Sequence, residues 1–127
     1  MNKELIKTAI NMREKAYAPY SNYEVGAAVE TDTGEIIGGC NVESSSYGLT
    51  CCAERTALFR AISEGHRKFT SLAVSTENGG MPCGACRQVI WDLCKDITVH
   101  ICDKDKLLKT IHASDLLPDA FDETFLK

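Results

Sequence analysis

Two groups of cysteines place the strongest constraint on this chain. Cys52 is followed two residues later by Glu54, and Cys83 is followed three residues later by Cys86. Residues at i and i+3 share one face of a helix, so Cys83 and Cys86 can direct both thiols to one point. Three thiolates with a nearby carboxylate that is not needed as a ligand indicate a zinc site with an open coordination position. An open position is typical of catalytic zinc, whereas structural zinc sites are closed.

The cysteine count allows two other interpretations. A disulfide framework is disfavoured because 7 cysteines is an odd number, because 127 residues are enough for a hydrophobic core, and because the N-terminus runs into an amphipathic helix instead of an export signal. A structural zinc completed by a fourth cysteine, Cys51 or Cys40, stays open as an alternative. That alternative gives no role to Glu54 and Arg55.

Composition restricts the class of partner. Hydrophobic residues make up 44% and charged residues 25% of the chain, as in an average globular protein, and the length predicts one domain over residues 1–127. The net charge is −4 and no run of Lys or Arg exceeds two residues, which disfavours binding to nucleic acid. No apolar stretch of about 18 residues is present, so no membrane segment is predicted. We expect a small-molecule substrate and a cytoplasmic location.

Hydrophobic periodicity predicts alternating helices and strands. The predicted helices cover residues 3–17, 52–64 and 83–94, and the predicted strands cover residues 24–31, 35–40, 72–75, 97–102 and 106–112. Such an order predicts an α/β fold with a mixed sheet and helices on its faces. Both cysteine groups fall at helix N-termini, where the peptide dipoles stabilise thiolates.

The charge of the predicted zinc site identifies two further residues. Three thiolates leave the metal centre with excess negative charge, which opposes deprotonation of the bound water. Arg55 can offset this charge by donating hydrogen bonds to ligand sulfurs. Glu54 is predicted to take the proton from the water and carry it to the substrate. The expected reaction is attack of zinc-bound hydroxide on the amine-bearing carbon of a pyrimidine, with loss of ammonia.

Longer motifs resemble the small cytidine deaminases. The two zinc motifs are Cys52-Ala53-Glu54-Arg55-Thr56-Ala57 and Pro82-Cys83-Gly84-Ala85-Cys86-Arg87-Gln88. The similarity continues in Ala18-Pro19-Tyr20-Ser21, Val25-Gly26-Ala27-Ala28, Gly39-Cys40-Asn41-Val42-Glu43, Ser63-Glu64-Gly65 and Leu116-Leu117-Pro118. The resemblance covers nearly the whole chain. It implies a three-layer sandwich with helices on both faces of a mixed sheet, one Zn²⁺ per subunit, and hydrolysis of cytidine or 2′-deoxycytidine to uridine or 2′-deoxyuridine in pyrimidine salvage.

The resemblance also implies contacts with the nucleoside. Asn41 and Glu43 match positions that hydrogen-bond the ribose. Tyr23 matches an aromatic residue, usually Phe, that packs on the pyrimidine, and Ala53 matches a substrate contact within the first zinc motif. We therefore expect these four residues to line one pocket beside the zinc.

The resemblance implies a homotetramer with composite active sites. Phe121 matches an aromatic residue that a neighbouring subunit supplies, and Tyr47 matches a position that contacts a neighbour's active site. We expect both side chains to serve a site on another copy of the chain.

Three departures from the family pattern lie near the expected pocket. Tyr23 adds a hydroxyl where Phe is usual, Ser44-Ser45 replaces Asn-Ala, and Asn78-Gly79-Gly80-Met81 is shorter than usual and lacks the Ser before Pro82. These departures keep open a deaminase of a modified cytosine nucleoside such as blasticidin S. A non-catalytic zinc protein is the third alternative, and intact Glu54 speaks against it.

Overall fold

The computed structural model describes residues 2–126, which fold around one five-stranded sheet. The α-helices are α1 (Lys3–Met12), α2 (Ala53–Ser63), α3 (Gly84–Cys94) and α4 (Ala113–Leu116). The strands are β1 (Gly26–Thr31), β2 (Ile36–Cys40), β3 (Phe69–Ser75), β4 (Thr98–Cys102) and β5 (Leu107–His112). Short 3₁₀ turns follow at Arg13–Lys15, Tyr47–Leu49 and Glu123–Leu126.

The sheet is mixed and has the order β2-β1-β3-β4-β5. β3 and β4 are parallel, and the other neighbouring pairs are antiparallel. The parallel pair requires a crossover connection, and α3 provides it. The β1–β2 hairpin turns at Gly34, whose φ of +90° favours glycine.

Helices cover both faces of the sheet, because successive side chains of a strand point to opposite faces. Ala27 and Val29 of β1 belong to the core cluster that contains residues of α2 and α3, whereas Ala28 between them clusters with Leu5 and Ala9 of α1. The predicted three-layer α/β sandwich with a mixed central sheet is confirmed. Among residues 2–126, no helix is long and apolar enough to cross a membrane.

Strand register brings candidate functional residues together where β2 and β3 end and β1 begins, which is one end of these three strands. Gly26, at the start of β1, pairs with Cys40 at the end of β2 and with Ser75 at the end of β3. The residues just outside these strand ends, Asn41 and Thr76, therefore lie on either side of the β1 chain at the same level of the sheet. The pocket described below lies at this end of the strands.

Several element boundaries differ from those predicted. α1 ends at Met12, and a 3₁₀ turn rather than α-helix continues to Lys15. β3 begins at Phe69, three residues earlier than predicted, because Phe69 pairs with Thr31 of β1. Periodicity within β3 could not reveal that partner.

Candidate metal centre and active-site pocket

The three predicted zinc ligands lie together at the N-termini of two helices. Cys52 is the N-cap of α2, Cys83 is the N-cap of α3, and Cys86 lies in the first turn of α3. Their Sγ atoms all lie within 4.8 Å of one another, and the Sγ atoms of Cys52 and Cys83 are 3.8 Å apart. Tetrahedral zinc with Zn–S bonds of about 2.3 Å holds its sulfur ligands roughly 3.8 Å apart. The cluster therefore fits Zn²⁺.

The thiols are electrostatically prepared for a cation. A hydrogen bond with Cys86, followed by one from Arg55, lowers the pKa of Cys52 to about 5, against the opposing effect of burial. The hydrogen bond to Cys52 and burial raise the pKa of Cys86. The raised pKa of Cys86 favours its thiol form, and because the metal ligand is the thiolate, zinc binding must release protons.

The alternative fourth cysteines lie outside this cluster. Within residues 2–126, Cys52, Cys83 and Cys86 are the only group of three potential ligands. The thiol of Cys51 approaches the Cys52 carbonyl and accepts a hydrogen bond from the Thr56 hydroxyl, and Cys40 Sγ contacts the carbonyl of Lys15 at 3.4 Å. A closed four-cysteine site has no support in this geometry.

Arg55 lies where its sequence position and the charge of the cluster predicted. Its Nη2 donates to Cys52 Sγ at 3.3 Å and to the Thr50 carbonyl at 3.4 Å. The hydrogen bonds to Cys52 and Cys86 raise the pKa of Arg55. Its Nε is buried and has no hydrogen-bond partner among the described residues. The guanidinium thus supplies positive charge directly beside the thiolates.

Glu54 is a buried carboxyl group next to the thiol cluster. Only 4% of the residue is exposed, in the first turn of α2. Burial raises its pKa to about 7, with a smaller contribution from the negative charge of Cys52. A carboxyl group with this pKa can both accept and donate a proton near neutral pH.

Glu54 opens into a cavity of about 270 Å³. A cavity of this size is slightly below the usual range for small-molecule sites. Thirteen side chains or backbone segments line it: Ser21, Tyr23, Val25, Asn41, Glu43, Thr50, Cys52, Glu54, Val74, Thr76, Gly80, Met81 and Cys83. Three of the four predicted nucleoside contacts, together with two cysteines and Glu54, therefore share one pocket.

Asn41 and Glu43 also hold the pocket wall in place. The Asn41 amide donates to the Tyr23 carbonyl at 2.8 Å and accepts from the Val25 N–H at 3.0 Å. The Glu43 carboxylate accepts from the N–H groups of Tyr20 and Ser21, at 3.0 and 3.1 Å, and from the Ser21 hydroxyl. These bonds, the one from the Ser21 hydroxyl above all, lower the pKa of Glu43, so it is a carboxylate at neutral pH.

The other predicted contacts are placed differently. Ala53 is fully buried at the start of α2 and does not line the cavity. Tyr47 is 77% exposed, beside Tyr20 in a neighbouring groove. Phe121 is exposed and stacks on Phe125 with ring centroids 5.6 Å apart, outside this chain's own cavity.

Sequence reasoning missed several lining residues. Thr50, Val74 and Thr76 carry no motif of their own. Strand register brings Val74 and the adjoining Thr76 to the pocket, whereas Thr50 follows the 3₁₀ turn before α2. Ser21 belongs to the quoted Ala18-Pro19-Tyr20-Ser21 motif, so its contact with Glu43 had a signal in the sequence. Gly80 and Met81 lie in the shortened segment before Pro82.

A buried carboxyl group beside three cysteines at two helix N-termini, on this three-layer fold, is the arrangement of the zinc-dependent deaminases. Comparison with known proteins shows which family of these deaminases the chain resembles. Residues 1–102 match the model of the cytidine and deoxycytidylate deaminase zinc-binding region. The chain therefore belongs to the cytidine deaminase family of zinc-dependent enzymes.

Individual relatives agree with this assignment. A cytidine deaminase of Halalkalibacterium halodurans is 51% identical over 120 residues, covering 92% of this chain and 91% of that protein. The crystal structure of cytidine deaminase from Burkholderia pseudomallei matches with a TM-score of 0.90 and 50% identity, covering 95% of this chain and all of that one. A blasticidin-S deaminase of Bacillus cereus is 35% identical, covering 84% of this chain and 83% of that protein.

Proposed function

We propose that this chain hydrolyses cytidine, 2′-deoxycytidine or both, giving uridine or 2′-deoxyuridine and ammonia. The observation that carries the proposal is the buried Glu54 carboxyl group in a cavity of about 270 Å³ that Cys52 and Cys83 also line. Relatives named cytidine deaminase, at 51% and 45% identity, support the choice of substrate.

In this proposal Cys52, Cys83 and Cys86 hold the metal. When bound there, Zn²⁺ supplies a Lewis acid that lowers the pKa of water. Glu54 would accept a proton from a water molecule and deliver it to the pyrimidine ring nitrogen while the water oxygen bonds to the amine-bearing carbon. Glu54 would then take the remaining proton of that oxygen and give it to the exocyclic amine, so that a carbonyl bond forms, the C–N bond breaks and ammonia leaves. The pKa of about 7 suits Glu54 to both directions of transfer.

Arg55 is proposed to stabilise the ligand set without touching the substrate. Its hydrogen bond to Cys52 Sγ withdraws negative charge from the metal centre. A less anionic centre favours deprotonation of water at neutral pH. Arg55 is therefore a positioning and charge-balancing residue in this account.

Nucleoside recognition is proposed for Asn41, Glu43 and Tyr23, with Ala53 contributing through its place between Cys52 and Glu54. The Glu43 carboxylate and the Asn41 amide line the cavity and are already fixed by backbone donors and acceptors. Preorganised polar groups of this kind can bind the ribose hydroxyls without paying for reordering. The Tyr23 ring supplies an apolar face for the pyrimidine.

We propose a homotetramer with composite sites, as in the family resemblance. Tyr47 and Phe121 are both highly exposed and outside the chain's own cavity, which supports a contact with another copy. Replacing Phe121 by Ala should raise KM, and light scattering should report the assembly state.

We further propose that residues 1–127 act as one domain, in cytoplasmic pyrimidine salvage.

Deamination of blasticidin S is the second candidate. The similarity to a blasticidin-S deaminase and the altered Ser44-Ser45 and Asn78–Met81 segments favour it. The greater identity to cytidine deaminases and the presence of both Asn41 and Glu43 place it second.

Ultraviolet absorbance of cytidine, incubated with the zinc-loaded protein, tests the proposal. Conversion to uridine supports it, and a chelator-treated sample is the control. A folded protein with stoichiometric zinc that leaves cytidine and deoxycytidine unchanged would contradict it. Turnover of blasticidin S by that protein would then favour the second candidate.

A further inference from the structure

The segment Glu77–Met81 forms one wall of the active-site pocket. It connects β3 to Pro82, directly before the cysteines of α3, and its residues Gly80 and Met81 line the cavity. Met81 lies two residues before the proposed ligand Cys83. The wall therefore borders the side of the pocket where the amine-bearing carbon of a substrate must meet the metal and Glu54.

Four polar contacts with described residues hold this segment. The Tyr23 hydroxyl donates to Asn78 Oδ1 at 2.9 Å, although the two residues are 55 positions apart. The Gly80 N–H donates to Thr76 Oγ1 at 2.6 Å and closes a turn. At the outer end, the Glu77 carboxylate pairs with Arg13 at 3.0 Å and with Lys104 at 3.5 Å. Tyr23 and Thr76 both line the cavity themselves, but Thr76 lies within the same connection, whereas Tyr23 comes from a distant part of the chain.

Tyr23 and Gly80 are complementary in shape. A Cβ atom added at Gly80 would lie 2.6 Å from the Tyr23 hydroxyl, which is closer than a carbon and an oxygen can pack. The hydroxyl thus occupies the space that a side chain at position 80 would need. Tyr23 and the segment Asn78–Met81 both depart from the family pattern, and here they contact each other.

We propose that the Tyr23 hydroxyl, through Asn78, fixes Glu77–Met81 as a rigid wall that excludes cytosine nucleosides with a bulky group on the ring carbon next to the amine-bearing carbon. Tyr23 is then a positioning residue for specificity as well as an apolar surface for the base. The proposal rests on the proposed function for its substrate, but the contact itself does not.

Selectivity between two substrates is the first test. The ratio of kcat/KM for 5-iodocytidine to that for cytidine is compared in the wild type, Tyr23→Phe, Asn78→Ala and the double variant. Because each single variant removes the same hydrogen bond, each should raise the ratio by roughly threefold to tenfold, mainly through KM, and the double variant should raise it no further. An unchanged ratio, or a double variant whose effect is the product of the two, would overturn the proposal.

Matched controls use the same substitutions elsewhere. Tyr17→Phe removes a hydroxyl that lies outside the pocket, and Asn11→Ala removes an exposed amide on α1. Both controls should keep the wild-type ratio. A change in the controls equal to that in Tyr23→Phe would show a general effect on the fold and overturn the assignment.

Hydrogen exchange tests the contact without any turnover. Amides of residues 77–81 should exchange faster in Tyr23→Phe and in Asn78→Ala than in the wild type, with the sheet unchanged. Gly80→Ala should lower the melting temperature, and adding Tyr23→Phe should restore it, since the methyl group then enters the space of the missing hydroxyl. Unchanged exchange, or no restoration, would refute the contact. A wild type inactive on cytidine would instead refute the proposed function.

Discussion

Replacing Arg55 by glutamine measures how far a neighbouring cation controls the zinc site. The substitution removes the guanidinium that donates to Cys52 Sγ at 3.3 Å and to the Thr50 carbonyl at 3.4 Å. Opposite unit charges at that distance attract by about 5 kcal/mol at an effective dielectric constant of 20, which is an upper limit because Arg55 is partly exposed. A hydrogen bond to a charged group contributes about 1.5–3 kcal/mol.

For metal affinity, the energy of the hydrogen bond is the relevant quantity, not the full charge attraction. Removing a hydrogen-bond partner of a metal ligand typically weakens binding by about 10–100-fold, or roughly 1.4–2.7 kcal/mol. We therefore expect the zinc Kd of Arg55→Gln to rise by about 10–100-fold. Arg55→Lys should fall between this variant and the wild type, because it keeps the charge and loses the planar fork.

Competition with a chromophoric zinc chelator at fixed pH gives the Kd. Arg60→Gln is the matched control, since Arg60 lies on the same helix but pairs with Glu64 at 2.8 Å, with 56% of its side chain exposed. The control should bind zinc as the wild type does. A Kd for Arg55→Gln within twofold of the wild type, or an equal loss in Arg60→Gln, would refute the reasoning.

Three further predictions concern the ligands and the support beneath them. Cys86→Ala should lose stoichiometric zinc and activity by metal analysis and turnover, whereas Cys94→Ala, a change outside the cluster, should keep both; full zinc in Cys86→Ala would rule out that ligand. Zinc affinity should fall as the pH falls, because protons compete with the metal for Cys86, whose pKa is raised by its hydrogen bond to Cys52 and by burial. Chelator competition over a pH series measures this affinity, and a constant Kd would contradict the prediction. Gly39→Ala should destabilise the fold by about 1–3 kcal/mol, because the new methyl carbon would lie 2.8 Å from Ala57 Cα in the backbone of α2. Thermal melting measures the loss. Gly48→Ala is the control, since its methyl group would meet no described residue.

The zinc cluster was predictable because its signal is local. Cys83 and Cys86 are one helical turn apart, and Glu54 and Arg55 follow within three residues of Cys52. The need of a metal for three thiolates then predicted that the two groups meet. The structure brings them together as expected. Their individual catalytic roles stay predictions.

The pocket wall was not predictable because its contacts are distant in sequence. The resemblance marked Tyr23 and the segment before Pro82 as unusual, but gave no sign that the Tyr23 hydroxyl bonds Asn78. Likewise, Thr76 reaches the pocket only through the pairing of Gly26 with Ser75. Pairing between remote segments depends on the whole sheet, which periodicity within a strand does not encode.

Glu54→Gln separates the two roles that a carboxylate beside zinc can have, proton transfer and metal binding. Zinc content and cytidine turnover are measured on the same preparation of this variant. Glutamine keeps the shape of the side chain and cannot carry the proton. We expect one zinc per chain, as in the wild type, with kcat lowered by about 10²–10⁴-fold. Loss of zinc would make Glu54 part of the ligand set, and full zinc with wild-type turnover would contradict its role in proton transfer.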